Sequence, residues 1–155
     1  MPDAVDRFLA TFDDPEGVQV RRYPAGTRTA ADAAAAIGCD VAQIVKSLVF
    51  VADDTPVLVL TAGSNRVDPG RVATLLGADR VTKADADVVR AATGFAIGGT
   101  PPFGHPAPLP TLVDRDLLAH DVVWAAAGSP DSVFPLDPST LPARTGGTVG
   151  DVAAG

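Results

Sequence analysis

Apolar residues alternate between a helical and a strand period along the chain, and the switches are marked by Gly, Pro, Asp and Thr. Val5, Phe8, Leu9 and Phe12 recur at helical spacing, which predicts a helix over Asp3 to Phe12, stopped by Asp13-Asp14-Pro15-Glu16-Gly17. Val18-Gln19-Val20-Arg21-Arg22-Tyr23 alternates and predicts a strand ended by Pro24 and Gly26. Thr29 caps a helix over Ala30 to Ile37 with Gly38 as its stop, and Asp40 caps a further turn over Val41 to Ile44. Lys46 then stands at the mouth of the strand Ser47-Leu48-Val49-Phe50-Val51. With the turn Asp53-Asp54-Thr55-Pro56 and the strand Val57-Leu58-Val59-Leu60-Thr61 it makes the clearest hairpin in the chain, apolar enough to imply burial on both faces.

Gly63-Ser64-Asn65-Arg66 reads as a loop. Asp68 as cap, Pro69 at the first helical position and Gly77 as stop bracket the next helix, and Asp85 to Thr93 gives another, ending at Gly94. Phe95-Ala96-Ile97 reads as a brief strand, Thr111 to Asp114 as a second, Asp116-Leu117-Leu118 as a turn, and Val122 to Ala127 as the last buried strand. Asp137-Pro138 begins a final helical turn through Leu141, and the residues from Thr145 onward read as frayed. Short strands interspersed with helices predict an α+β, mixed α/β domain on a barrel-like, mixed and mainly antiparallel sheet with short helices around it. The expected organisation is one domain over residues 1–144 and a flexible C-terminal tail over 145–155.

Composition narrows the function. With 155 residues and 46% hydrophobic content, one real core can be built. The apolar runs are far too short to cross a bilayer, so a soluble, cytoplasmic protein without a membrane partner is expected. Cys39 is the only cysteine, which excludes an intramolecular disulfide, Cys-rich zinc spacing and a CxxC motif. It reads as a small packed residue. A formal net charge of −7 argues against a broad footprint on a nucleic-acid duplex, and DNA is not an expected partner. If nucleic acid is bound, only a small part of it docks. Lys46 and Lys83 are the only lysines in a chain that otherwise uses arginine, which draws attention to both.

The usual catalytic constellations are absent. His105 and His120 are the only histidines, no HExxH occurs, and no serine sits in a nucleophile elbow, so no Ser/His/Asp triad can be written. GxGxxG and GxxxxGK[ST] are missing too. No metal and no cofactor is expected. What remains is the stretch Ala96-Ile97-Gly98-Gly99-Thr100-Pro101-Pro102-Phe103-Gly104-His105. It is either a tight connection between strands or a site wall whose backbone amides face a ligand. His105 within it either stabilises the turn or contacts the ligand. Lys46 is either a solvated strand-end lysine or an ammonium set in a cleft to hold a phosphate or carboxylate as a point charge.

Taken in order, Tyr23-Pro24, Thr29-Ala30 with Ala33-Ala34 and Gly38, Gln43 to Phe50, Arg66-Val67-Asp68, Leu76-Gly77, Thr93-Gly94-Phe95, Gly98 to His105 and Gly128-Ser129-Pro130 resemble the YbaK-like aminoacyl-tRNA deacylases. That family includes the editing domain inserted in bacterial prolyl-tRNA synthetases. The resemblance runs from about Val20 to about Leu136. It implies the YbaK/prolyl-tRNA synthetase editing-domain fold and hydrolysis of the ester joining a wrong amino acid to the 3′ end of a tRNA, with cysteine and alanine on proline tRNA as first candidates. It implies catalytic roles for Lys46 and the loop residues Gly98, Gly99 and Thr100, and substrate-binding roles for Tyr23, Thr29, Ser47, Pro101, Pro102 and His105. The implied partners are the 3′ aminoacylated end of tRNA and an aminoacyl-tRNA synthetase. Many relatives carry serine where this chain has Pro101, so any role of that hydroxyl is lost here. Two other classes fit the same residues: a non-catalytic small-ligand or synthetase-binding module of this fold, and a hydrolase of another small ester.

Overall fold

The hairpin between β2 (Ile44–Ala52) and β3 (Thr55–Ala62) is the spine of the molecule. Its turn is the two-residue loop Asp53-Asp54, both residues taking positive φ (46° and 72°), as the twist of a tight hairpin requires. The Asp53 carboxylate also accepts from the Asp79 and Arg80 amides, each at 2.9 Å, and these bonds hold its pKa below the ordinary aspartate value. The structure, a computed structural model, describes residues 3–23 and 29–154.

Around this spine lie β1 (Arg21–Arg22), β4 (Val81–Lys83), β5 (Thr111–Asp114), β6 (Val123–Ala126), β7 (Ser132–Leu136) and β8 (Thr148–Gly150). One mixed sheet runs in the order β1-β7-β6-β2-β3-β5-β8, with β4 pairing on β2. The β2·β3, β2·β4, β6·β7 and β1·β7 pairs are antiparallel, and β2·β6, β3·β5 and β5·β8 are parallel.

Among the described residues, five short α-helices complete the domain: α1 (Ala4–Leu9), α2 (Ala30–Ile37), α3 (Pro69–Leu76), α4 (Ala86–Thr93) and α5 (Leu141–Thr145). The ends of α2, α3 and α4 are those the sequence marks, whereas α1 stops at Leu9, short of Phe12, and α5 begins at Leu141, where the final turn is expected to end. The Asp3, Thr29, Asp68 and Asp85 side chains accept from first-turn amides, and Gly38, Gly77 and Gly94 close α2 to α4 in the left-handed conformation.

The strand period explains the core. Val45, Val49, Leu58 and Leu60 enter one buried cluster with Phe8, Phe95, Phe103 and Phe134, while Phe50, Val57 and Val59 enter another with Val72, Leu112 and Val152. Both faces of the hairpin are therefore buried. A third cluster joins Ala33 and Ala34 of α2 to Ile44, Trp124 and Val133.

Several expectations are corrected. The first strand shrinks to Arg21–Arg22, because only that stretch pairs with β7; Pro24 and Gly26, expected to end it, lie outside the described residues. Phe95-Ala96-Ile97 forms no strand and leads into a turn closed by the Gly99 amide on the Ala96 carbonyl. β4 and β7, not read from the sequence, complete the sheet. Residues 145–154 are tied into the fold instead of fraying. β8 pairs with β5, the Asp68 amide donates to the Val152 carbonyl at 2.8 Å, and the Ala154 amide donates to that of Arg66 at 2.7 Å.

This packing gives a first test. Val152 is fully buried whereas Val149 is 37% exposed. Val152→Ala is expected to lower unfolding free energy by about 2 kcal/mol in urea melts, and Val149→Ala by less than about 0.5 kcal/mol. Equal midpoints for the two variants would show that the tail packing contributes nothing.

Candidate active site

β2 is paired along almost its whole length by β3, from Val45 to Ala52. Its other edge is covered only at the ends. β6 reaches Ile44 and Val45, β4 reaches Phe50 to Ala52, and the Ala84 amide caps the Val49 carbonyl at 3.1 Å. Lys46, Ser47 and Leu48 have no strand neighbour on that side among the described residues. A cavity of about 520 Å³ opens over this gap. Its walls are the start of α2 (Thr29, Ala30, Ala33), Trp124 and Ala125 of β6, Ala84 and Lys83 beyond and within β4, and Ile97, Gly98 and Thr100 of the Gly/Pro loop.

Lys46 is the third residue of β2, so it lies inside the strand and not at its mouth. Its half-buried ammonium donates to the Asn65 carbonyl at 2.7 Å. Burial pushes its pKa below the ordinary lysine value, the neighbouring Lys83 and Arg66 charges push the same way, and Asp114 opposes them. Both lysines of the chain line this one cavity. Ser47 projects from the opposite side of the strand, yet it also lines the cavity, which wraps around the open edge. Its hydroxyl is buried and has no hydrogen-bond partner among the described residues.

The Gly/Pro loop divides its labour. Gly98 takes φ +85° at the turn, and a Cβ there would meet only Pro130, at 3.8 Å. Gly99 is needed for closeness, since a Cβ would stand 2.8 Å from the Ser129 Cα. The Gly99 amide, expected to face the ligand, instead donates to the Ala96 carbonyl at 3.0 Å, and the Thr100 hydroxyl donates to the same oxygen at 3.1 Å. The Gly98 and Thr100 amides donate to none of the described residues.

Of the residues singled out from the sequence, Lys46, Ser47, Thr29, Gly98 and Thr100 line the cavity, and Gly99, Pro101, Pro102, His105 and Tyr23 do not. Pro101 and Pro102 are buried. His105 binds the Pro101 carbonyl through Nε2 at 2.8 Å and turns its ring toward Phe95, 6.4 Å away, so it staples the loop from behind. Tyr23 donates its amide to the Asp131 carbonyl and packs against the cluster whose Ile44 and Trp124 form the wall. Burial raises the Cys39 thiol pKa, in keeping with a packed residue.

Sequence reasoning missed two residues behind Lys46. Asp114, fully buried at the end of β5, accepts from Thr61 Oγ1, the Ala62 amide and Asn65 Nδ2 on one oxygen and from the Asp116 amide on the other. Asn65 joins it to Lys46. The available signal was an aspartate closing an otherwise apolar strand.

Residues 24–142 match the family model of the aminoacyl-tRNA editing domain. The fold superposes on a crystal structure of a candidate trans-editing enzyme for prolyl tRNA synthetase with a TM-score of 0.91 at 43% identity, covering 100% of this chain and 99% of that one. Among curated proteins, the chain is 33% identical over 100 residues to the proline--tRNA ligase of Streptococcus sanguinis, covering 63% of this chain and 16% of the ligase. It is 30% identical over 111 residues to that of Streptococcus thermophilus, covering 72% of this chain and 18% of the ligase. The chain thus spans about a sixth of the length of these ligases. No helix among the described residues is long and apolar enough to cross a membrane.

The staple has a pH signature. Burial lowers the His105 pKa below its ordinary 6.5, outweighing the opposing bond to Pro101. The unfolded chain therefore binds this proton at higher pH than the folded one does. Stability from the neutral ring is fully present above pH 6.5 and is lost as pH falls toward the folded pKa. Urea melts at about pH 7.5 and pH 5.5 should show lower stability at the acid value, and His105→Gln should flatten that difference. An equal slope in the variant would assign the loss to other groups.

Proposed function

The chain belongs to the aminoacyl-tRNA editing domain family, and on that premise we propose that it is a trans-editing deacylase that hydrolyses the ester of a mischarged tRNA, with cysteine or alanine on proline tRNA as first candidates. One observation supports this reading: Lys46, Ser47, whose hydroxyl has no partner among the described residues, Gly98 and Thr100 all line one cavity of about 520 Å³ over an open strand edge. That volume suits a terminal nucleoside with its amino acid.

No protein nucleophile takes part. Lys46, with donors left beyond the one given to Asn65, neutralises the terminal phosphate or another polar group of the adenosine end. The Gly98 and Thr100 amides bind the ester carbonyl oxygen and the negative charge that develops on it. Each such donor is worth about 3 kcal/mol of barrier. Water, or a hydroxyl or thiol of the substrate, attacks the carbonyl carbon, and the ester C–O bond breaks toward the ribose oxygen, which takes up a proton. When water attacks, the products are the free amino acid and tRNA with a free 3′ end. Lys83 at the cavity mouth adds positive charge where a nucleic-acid backbone approaches, on a chain of net charge −7. A short docked segment with few phosphate contacts meets that constraint, and an aminoacyl-tRNA synthetase is the natural source of further tRNA affinity.

Deacylation of a panel of mischarged tRNAs is the direct test. Wild-type protein should release the amino acid from a subset of them, and Lys46→Ala should reduce turnover by more than about 100-fold while melting within a few degrees of wild type. Undiminished turnover in the folded variant removes Lys46 from the mechanism. Rates at the no-enzyme control across the panel favour a binding module, and hydrolysis of free aminoacyl esters alone favours a different substrate.

Ser47 gives an independent check. Its buried hydroxyl has no hydrogen-bond partner among the described residues, an arrangement that costs about 1–3 kcal/mol. Ser47→Ala should melt at or above the wild-type temperature and raise KM about 10-fold. A lower melting temperature with unchanged KM would show that the hydroxyl serves the fold and not the substrate.

A further inference from the structure

We infer that Asp114 and Asn65 are positioning residues for Lys46, forming a latch that runs from a fully buried carboxylate, through one side-chain amide and one backbone carbonyl, to the ammonium of this cavity-lining lysine. The inference rests on the deacylase reading and assigns that reaction two residues behind the cavity wall.

The sheet register sets up the latch. Lys46 stands opposite Thr61, and Leu60 stands opposite Val113, so Lys46, Thr61 and Asp114 are neighbours across three strands on one face. Thr61 and the Ala62 amide each donate to Asp114 Oδ2 at 3.0 Å, and the Asp116 amide donates to Oδ1 at 3.0 Å. These bonds immobilise the carboxylate. Asn65 spans the remaining distance. Its Nδ2 donates to Asp114 Oδ2 at 2.9 Å and to Asp116 Oδ2 at 2.7 Å, and its backbone oxygen accepts from Lys46 Nζ at 2.7 Å. One residue thus turns its amide protons to the acids and its carbonyl to the cation.

The loop that carries Asn65 is anchored at both ends. The Gly63 amide donates to Ile44 O at 2.7 Å, the Asn65 amide to Ala62 O at 2.9 Å, and the Ala154 amide to Arg66 O at 2.7 Å. A lysine side chain has four rotatable bonds, and an unanchored one spreads its charge over several ångströms. Fixing it at one carbonyl selects one rotamer. The charges facing Lys46 are Lys83 and Arg66, which disfavour the ammonium, and Asp114, which favours it.

The test uses the whole chain, kinetics on a mischarged tRNA that the wild type deacylates, and NMR of protein labelled at lysine, where two Cε signals suffice to report both lysines. Asn65→Ala should lower kcat about 10- to 100-fold and leave KM within about twofold. Combined with Lys46→Arg it should add no further loss. The Lys46 Cε signal, rigid in wild type, should become as mobile as that of Lys83, and in Asp114→Asn it should titrate at lower pH than in wild type. A folded Asn65→Ala with undiminished kcat, or with losses that multiply in the double variant, overturns the inference. Should Asp114→Asn fail to fold, Asn65→Ala decides alone. Wild-type protein that deacylates nothing, with a Lys46 signal that still loosens in Asn65→Ala, refutes the deacylase reading and leaves the latch standing; an unchanged Lys46 signal refutes the latch.

Discussion

The site exists because β2 is longer than the strands that cover its outer edge. A strand edge exposes backbone groups that demand partners, and most sheets satisfy them with another strand. Here β6 and β4 reach only the two ends, one parallel and one antiparallel, and the middle of the edge faces a cavity roofed by α2 and the Gly/Pro loop. The hairpin partner on the other side keeps β2 paired and buried, so the gap does not collapse. A ligand entering it meets a rigid, partly desolvated edge whose geometry is set by the core.

That rigidity sets the electrostatics. Burial and two cationic neighbours all work against the Lys46 charge, and a carboxylate buried behind it works for it. Placing the counter-charge one residue away, instead of in direct contact with Nζ, leaves ammonium protons free for a substrate. A direct ion pair would have consumed them and demanded full desolvation of both groups. The C-terminal residues belong to the same arrangement. Val152 fills the cluster beneath β3, and the bonds from Asp68 and Ala154 hold the chain just after Asn65.

Much of the framework was legible because it depends on local rules. Asp3, Thr29, Asp68 and Asp85 cap helices that glycine or a polar turn then ends, and the near-continuous apolar run from Leu48 to Leu60 marked the two-faced hairpin. What was missed depends on distant pairing. β4 has three residues, two of them polar and exposed, and is a strand only because β2 offers it an edge. β7 contains Pro135, which reads against a strand, yet it pairs with both β6 and β1. β8 looks like a Gly/Thr tail until β5 supplies its partner. Within the site, Lys46 and the loop were marked by residue type, whereas the commitment of the Gly99 amide to Ala96 follows from a turn geometry that no residue type declares.

The two adjacent glycines show how such geometry limits selectivity. Gly98 shapes the turn, but Gly99 packs backbone to backbone on Ser129, so the loop and the turn at Gly128 to Ser132 form one rigid wall. Most other lining groups are small and apolar, Ala30, Ala33, Ala84 and Ala125 among them. The Thr100 and Ser132 hydroxyls are committed to the Ala96 and Ser129 carbonyls, and the Thr29 oxygen caps α2. Among the described residues, Ser47 is left as the lining hydroxyl without a partner. In the proposed deacylase, a wall of this kind separates amino acids by fit, where one methylene changes binding by about 1–3 kcal/mol, and gains a sharper distinction only for a side chain or ribose group that reaches Ser47.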